Sequence, residues 1–215
     1  KQEKLDRELF KNPTAEYRGT PFWAWNCELE KDELLRQIDI FKEMGLGGFH
    51  MHCRAGMSTT YLSDDFMDLV KACTDHAEQN EMLSWLYDED KWPSGFAGGY
   101  VTKDPAFRQR FLCFTNSPGY KTTEHSVLIA KFDVVLDDKK CLASYRRVQD
   151  GDEIQGTLWT VWREIAGNSP WYNNQSYVDT LNKAAIDKFI EITHERYKEA
   201  VGDRFGTVVP AIFTD

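Results

Sequence analysis

The sequence predicts an α/β protein, about four βα units forming the N-terminal half of a (β/α)8 TIM-type barrel, interrupted by an antiparallel β insertion. Three observations predict it. Apolar strand-like runs alternate with helical-period segments from Thr20 to Tyr87. Three further strand patterns follow between residues 118 and 168 with no helix between them. Polar groups gather at the downstream ends of the early strands, where α/β enzymes keep their chemistry.

Residues 1–18 are polar, with a short helix expected before Asn12-Pro13, and read as a lead-in. Thr20 to Trp25 is the first strand, with Pro21 at its start, where a missing N–H is tolerated. A helix follows from about Glu30 to Met44, with Leu34, Leu35, Ile38 and Phe41 at helical spacing and Gly45 as its stop. Leu46 to Cys53 is the second strand. Ser63 caps a second helix that runs from Phe66 to Asn80. Met82 to Asp88 is the third strand, followed by a Gly-containing loop with Trp92-Pro93-Ser94-Gly95. Residues 104–116 read equally as a helix start or a further strand.

The insertion, 118–168, holds strand patterns at Ser126 to Leu136, Cys141 to Val148 and Thr157 to Ile165, joined by Asp-Asp and Gly-containing turns. A helical face resumes from Asn182 to Ala200, and Phe205 to Asp215 is the fourth parallel strand, centred on 207–214. Four such strands make half a barrel and leave two sheet edges to cover, either by the remainder of the same polypeptide or by self-association.

Composition narrows the function. The 215 residues are 41% apolar and 28% charged, with a net charge of −9, which argues against nucleic acid and against anionic membranes as partners. No run is long and apolar enough to span a bilayer, and the first residues do not read as a signal peptide. Cys27, Cys53, Cys73, Cys113 and Cys141 are widely spaced, with no CxxC. They read as reduced thiols favouring a cytoplasmic setting. Seven Trp, nine Tyr and thirteen Phe are many, and several stand beside acids or Gly. Rings next to carboxylates suit a sugar, whose C–H faces stack while its hydroxyls seek charged acceptors.

The candidate site follows from the strand ends. The acids Asp88, Glu89 and Asp90 follow the third strand, and Asp215 ends the fourth. Alternation puts Trp85, Tyr87 and Glu89 on one face and Leu86, Asp88 and Asp90 on the other, and it favours Asp88 and Asp90 as the pocket acids. His50, His52 and Arg54 share a face of the second strand. They suit hydrogen bonding to hydroxyls or to a carboxylate substituent. A His-x-His pair also serves metal-dependent amidohydrolases, and two ordinary polar residues are a third reading. Trp92 is the candidate stacking platform, with Trp23, Trp25, Tyr87 and Trp171 as others, and Asn26 can hold a hydroxyl.

Pro21-Phe22-Trp23-Ala24-Trp25-Asn26, Gly47 to Arg54 and Trp85 to Gly95 resemble a group of large bacterial TIM-barrel glycoside hydrolases related to α-L-rhamnosidases. Tyr177 to Asn182 and Ile212 to Asp215 resemble the same group. The Asp-Glu-Asp-x-Trp-Pro-Ser-Gly block carries the most specific likeness. The resemblance implies hydrolysis of a carbohydrate by carboxylate acid/base chemistry, with no cofactor. It also implies a further acid just past Asp215, so the 215 residues alone are expected not to turn over glycosides. A non-catalytic sugar-binding module is the remaining alternative.

Overall fold

The computed structural model describes residues 6–215, which divide into two compact units. The first is discontinuous, running to Val101 and resuming at Asn182; the second is Thr102–Leu181. A short helix α1 (Arg7–Lys11), capped by Asp6, opens the described chain as expected.

The first unit is built on a parallel sheet of β1 (Phe22–Trp25), β2 (Gly48–Cys53), β3 (Leu83–Tyr87) and a strand at the chain's far end, Ile212–Phe213. The four lie side by side in that order. Helices α2 (Lys31–Glu43) and α3 (Asp64–Gln79) make the crossovers, and the Ser63 hydroxyl caps α3 at the Phe66 N–H. Register follows from tight contact. A Cβ on Gly48 would lie 2.3 Å from the Leu83 carbonyl oxygen, so only glycine lets β2 and β3 approach this closely.

The two faces of this sheet differ. Trp23, Trp25, Phe49, Met51, Cys53 and Leu86 point to the helices and join Ile38, Phe66, Val70 and Cys73 in the core. Edge-on contacts of Trp23 with Phe41 and of Trp25 with Phe66 interlock sheet and helices. Each fully buried side chain of this kind contributes about 1.5–3 kcal/mol. The opposite face carries Phe22, His50, His52, Trp85, Tyr87 and Phe213.

Two expectations need correcting. The segment expected as one helix is two, α4 (Lys183–Ile192) and α5 (His194–Val201). The Thr193 hydroxyl donates to the Phe189 carbonyl at 2.6 Å between them, and Thr193 leaves ideal helical geometry there. The fourth strand is also much shorter than 207–214. Ser84 and Leu86 still donate to the carbonyls of Val208 and Ala211, but Pro210 has no N–H to continue the ladder.

The second unit is an antiparallel sheet of β4 (Arg110–Thr115), β5 (Val127–Leu136), β6 (Leu142–Val148) and β7 (Thr157–Ile165), in the order β4-β7-β5-β6. Strand patterning from Ser126 onward anticipates three of these. The unit is wider than 118–168 because β4 pairs along its whole length with β7. The closing strand Ile212–Phe213 is β8. The fold is thus α/β with one parallel and one antiparallel sheet. Among the described residues the parallel sheet has four strands, not a closed ring.

Candidate functional site

The face of the parallel sheet away from α2 and α3 gathers aromatic and imidazole rings. His50 stacks on Trp85 with centroids 4.9 Å apart, and His52 lies 4.3 Å from Tyr87. Phe22 touches both histidines, at 5.0 and 4.8 Å, and Phe213 closes the group at 5.0 Å from Phe22. Register explains the cluster: Phe22 pairs with His50, His50 with Trp85, and Tyr87 with Phe213, so the side chains line up across four strands.

Polar atoms lie among these rings. His50 Nδ1 sits 3.1 Å from the Thr20 carbonyl, which can only accept, so Nδ1 carries the proton and Nε2 is turned away from that bond. His52 is 5% exposed, and its Nε2 has no hydrogen-bond partner among the described residues; the same holds for Trp85 Nε1. Burial lowers the pKa of both histidines. For His52 the Arg54 charge lowers it further, and Asp215 opposes. Both rings are therefore neutral near pH 7 and can offer a donor and an acceptor at once. Burial raises the Tyr87 phenol, with Glu89 and Asp215 adding to it.

The acids separate. Asp215 stands two residues past Phe213, and of the acids only its charge acts on His52. Asp88 follows Leu86, is fully buried, and its charge acts on Tyr61 and Tyr197 and also on Tyr87. Its oxygens accept from Ser94 Oγ at 2.6 Å, Thr214 Oγ1 at 2.6 Å and His194 Nε2 at 3.0 Å. Alternation along the strand had favoured Asp88 for the pocket. The open face is the one that carries Trp85 and Tyr87 instead.

Glu89 is also fully buried, inside a ring of backbone amides. Oε1 accepts from the N–H of Asp90 and Gly98 at 3.0 and 2.6 Å, and Oε2 from those of Gly95 and Ala97 at 3.0 and 2.7 Å. Burial raises its pKa, the adjacent Asp90 charge adds to that, and the amides pull it back down. This carboxyl organises the loop after β3. Asp90 is half-buried, with its carboxyl against Gly98.

The remaining candidates disperse. Trp23 and Trp25 are core residues on the helix face, and Trp23 Nε1 donates to Gln37 Oε1 at 2.7 Å, so neither is a stacking platform for a ligand on the other face. Trp92 is 53% exposed on the loop after Glu89, and Arg54 and Asn26 are exposed near the ends of β2 and β1. Trp171 belongs to the second unit, where the Ser169 hydroxyl accepts from its N–H. Phe22, Phe213, Ser94 and Thr214 lie in the motifs quoted above, but neither they nor His194 were named as site residues from the sequence. Phe22 and Phe213 could have been found by following strand alternation from His50 and Tyr87. His194, at the start of a helix, carries no such signal. Among the described residues no group of three or more His, Cys, Asp or Glu stands close enough to hold a metal ion. No helix among them is long and apolar enough to cross a membrane.

No protein-family model and no curated protein matches the chain. Among solved structures, a rhamnosidase from Novosphingobium sp. PP1Y is similar at 18% sequence identity and a TM-score of 0.41. The match covers 60% of this chain and 12% of that one, so the chain spans a small part of that enzyme's length.

Proposed function

We propose that the ring face of the parallel sheet binds a carbohydrate, as part of a domain of glycoside-hydrolase type. The observation that carries this reading is the pair of buried, unpartnered nitrogens, His52 Nε2 and Trp85 Nε1, set among stacked rings. Leaving a polar group buried without a partner costs about 1–3 kcal/mol. A sugar hydroxyl satisfies such nitrogens while the pyranose C–H face covers the rings, and water satisfies only the first need. Neutral histidines suit an uncharged polyol, which asks for donors and acceptors rather than charge. Asp215, next to His52, is the carboxylate in reach of a bound sugar, and Arg54 frames the same end of β2. Asp88 and Glu89 support this site from behind.

The reading is tested by titrating the protein with a panel of pyranosides, rhamnosides included, while following Trp fluorescence and the ring resonances of His50 and His52. At least one saccharide is expected to shift both signals saturably, and His52→Ala and Trp85→Phe are each expected to weaken binding about 10-fold, the effect of one hydrogen bond of ~1.4 kcal/mol. A panel that leaves the His50 and His52 resonances unmoved overturns the reading.

A further inference from the structure

Of the four acids after β3 and at the end of β8, only Asp215 has a charge that acts on His52, and its backbone is tied to the loop after β3. Ser94 and Asp215 are joined twice, Ser94 N–H to the Asp215 carbonyl at 2.9 Å and Asp215 N–H to Ser94 Oγ at 3.1 Å. The same Ser94 hydroxyl donates onward to Asp88 Oδ1. Thr214 Oγ1 donates to Asp88 Oδ2, and the Asp88 N–H donates to the Phe213 carbonyl at 3.3 Å. Asp88 thus holds residue 213 through its backbone N–H, and its buried carboxylate holds Thr214 directly and Asp215 by way of Ser94. His194 at the start of α5 holds the same carboxylate from outside.

We propose that Asp88, acting through Ser94 and Thr214, is a positioning residue that fixes the Asp215 carboxylate beside His52. Its functional meaning rests on the carbohydrate reading above, since that is where Asp215 would meet a ligand; the linkage itself needs no ligand. The Asp88 carboxylate is fully buried and its oxygens are taken by Ser94, Thr214 and His194, so it orients and does not react. The geometry gives a reason for the Ser in the Trp-Pro-Ser-Gly stretch. A hydroxyl both donates and accepts, and here it must do both at once, to Asp88 and from the Asp215 N–H. Alanine can do neither.

His52 reports the position of Asp215. The groups that face it are Phe22 from β1, His50 and Arg54 from β2 and just beyond it, Tyr87 from β3, and Phe213 and Asp215 from β8 and its end. Among these, only the Asp215 charge raises the His52 pKa, whereas His50 is governed by burial and by the Thr20 and Pro21 carbonyls. His50 is therefore an internal control.

The experiment is an NMR pH titration of the His52 and His50 rings in the 215-residue protein and in Asp215→Asn, Ser94→Ala and Thr214→Val. The last two are also combined with Asp215→Asn. Neither hydroxyl variant changes any charge. The His52 pKa is expected to fall in Asp215→Asn and to fall in the same sense in Ser94→Ala and Thr214→Val, with His50 unmoved. In the Asp215→Asn background the hydroxyl variants are expected to add nothing. His52 titrating as wild type in both hydroxyl variants overturns the proposal, as does a shift that persists once Asp215 is already Asn. Should Ser94→Ala not fold, Thr214→Val decides alone. If this coupling is found but no saccharide binds, the carbohydrate reading fails and the positioning role stands.

Discussion

Glu89→Gln is the substitution that tests the loop after β3 most directly. The side chain keeps its size, so no cavity forms and the core is untouched. What changes is one oxygen, replaced by an NH2 that cannot accept. Each Glu89 oxygen takes two backbone N–H groups, so the amide leaves two of four donors facing a donor. Turned toward Asp90 and Gly98, which are half-buried, the NH2 strands donors that water can partly reach; turned toward Gly95 and Ala97, it strands two buried ones. At about 1–3 kcal/mol per unsatisfied buried donor, the cost is roughly 2–6 kcal/mol, with the lower half favoured by the first rotamer. That is a large share of the ~5–15 kcal/mol that keeps a domain folded. With a urea dependence of about 2 kcal/mol/M, the unfolding midpoint is expected to fall by roughly 1–2 M. Hydrogen exchange at Gly95, Ala97 and Gly98 is expected to speed up first, before the rest of the sheet. A midpoint within about 0.2 M of wild type, with those amides as protected as before, would refute the claim that the carboxylate organises the loop.

Three further outcomes are expected. Gly48→Ala forces a Cβ onto the Leu83 carbonyl oxygen, a backbone atom that cannot step aside. The overpacking costs about 1–3 kcal/mol, seen as a fall of roughly 2–12 °C in Tm; an unchanged Tm would mean that β2 and β3 can separate freely. Because the folded pKa values of His50 and His52 are lowered, the unfolded chain binds protons that the folded one refuses. Stability from these rings is complete above the unfolded value of about 6.5 and declines as pH falls toward the folded values, and His52→Gln should flatten that slope in urea titrations run from pH 8 to pH 5. Asp133 in the second unit accepts from the N–H groups of Gln155 and Gly156 and pairs with Arg146, which lowers its pKa in that order of importance. Its contribution is present above the unfolded value of about 3.9 and lost as pH falls through the folded one, so Asp133→Asn should weaken the acid-induced part of a thermal unfolding profile.

The strands β1 to β3 and helices α2 and α3 were legible because local signals agreed. Pro21, Gly45 and Ser63 punctuate the chain, and Leu34, Ile38 and Phe41 keep the helical period. What alternation could not give was which face of the sheet meets the helices, because both faces are aromatic. Trp23 and Trp25 alternate with Phe22 as well as with His50 and His52 across the register, and nothing local ranks one side as the core. The placing of Asp88 has the same root. His50 and His52 share their face with Trp85 and Tyr87, and the acid that follows Leu86 is buried instead. Glu89 escaped for a different reason. Its amide partners at Gly95, Ala97 and Gly98 depend on how the loop returns, which no spacing encodes. The break at Thr193 was hidden because apolar residues continue at helical spacing on both sides of it.

The interruption of the first unit by the second has a kinetic consequence. β3 reaches its partner β8 only across the intervening chain, Leu86 pairing with Ile212, whereas each strand of the second unit finds its partners within a single contiguous stretch. A long separation makes closure slow, although the entropic cost grows only about 0.6 kcal/mol for each doubling of loop length. During synthesis β1, β2 and β3 emerge first, with the Asp88 carboxylate and the amide-ringed Glu89 already in place. The hydroxyl of Thr214 and the backbone of Asp215 are made only after the whole second unit. The ribosome therefore delivers a scaffold whose acid hub waits, half-assembled, until residues 212–215 dock. Pulse-labelled hydrogen exchange would register this as protection of the Leu86 and Asp88 amides, which bond Ala211 and Phe213, arriving after protection within β5 and β7.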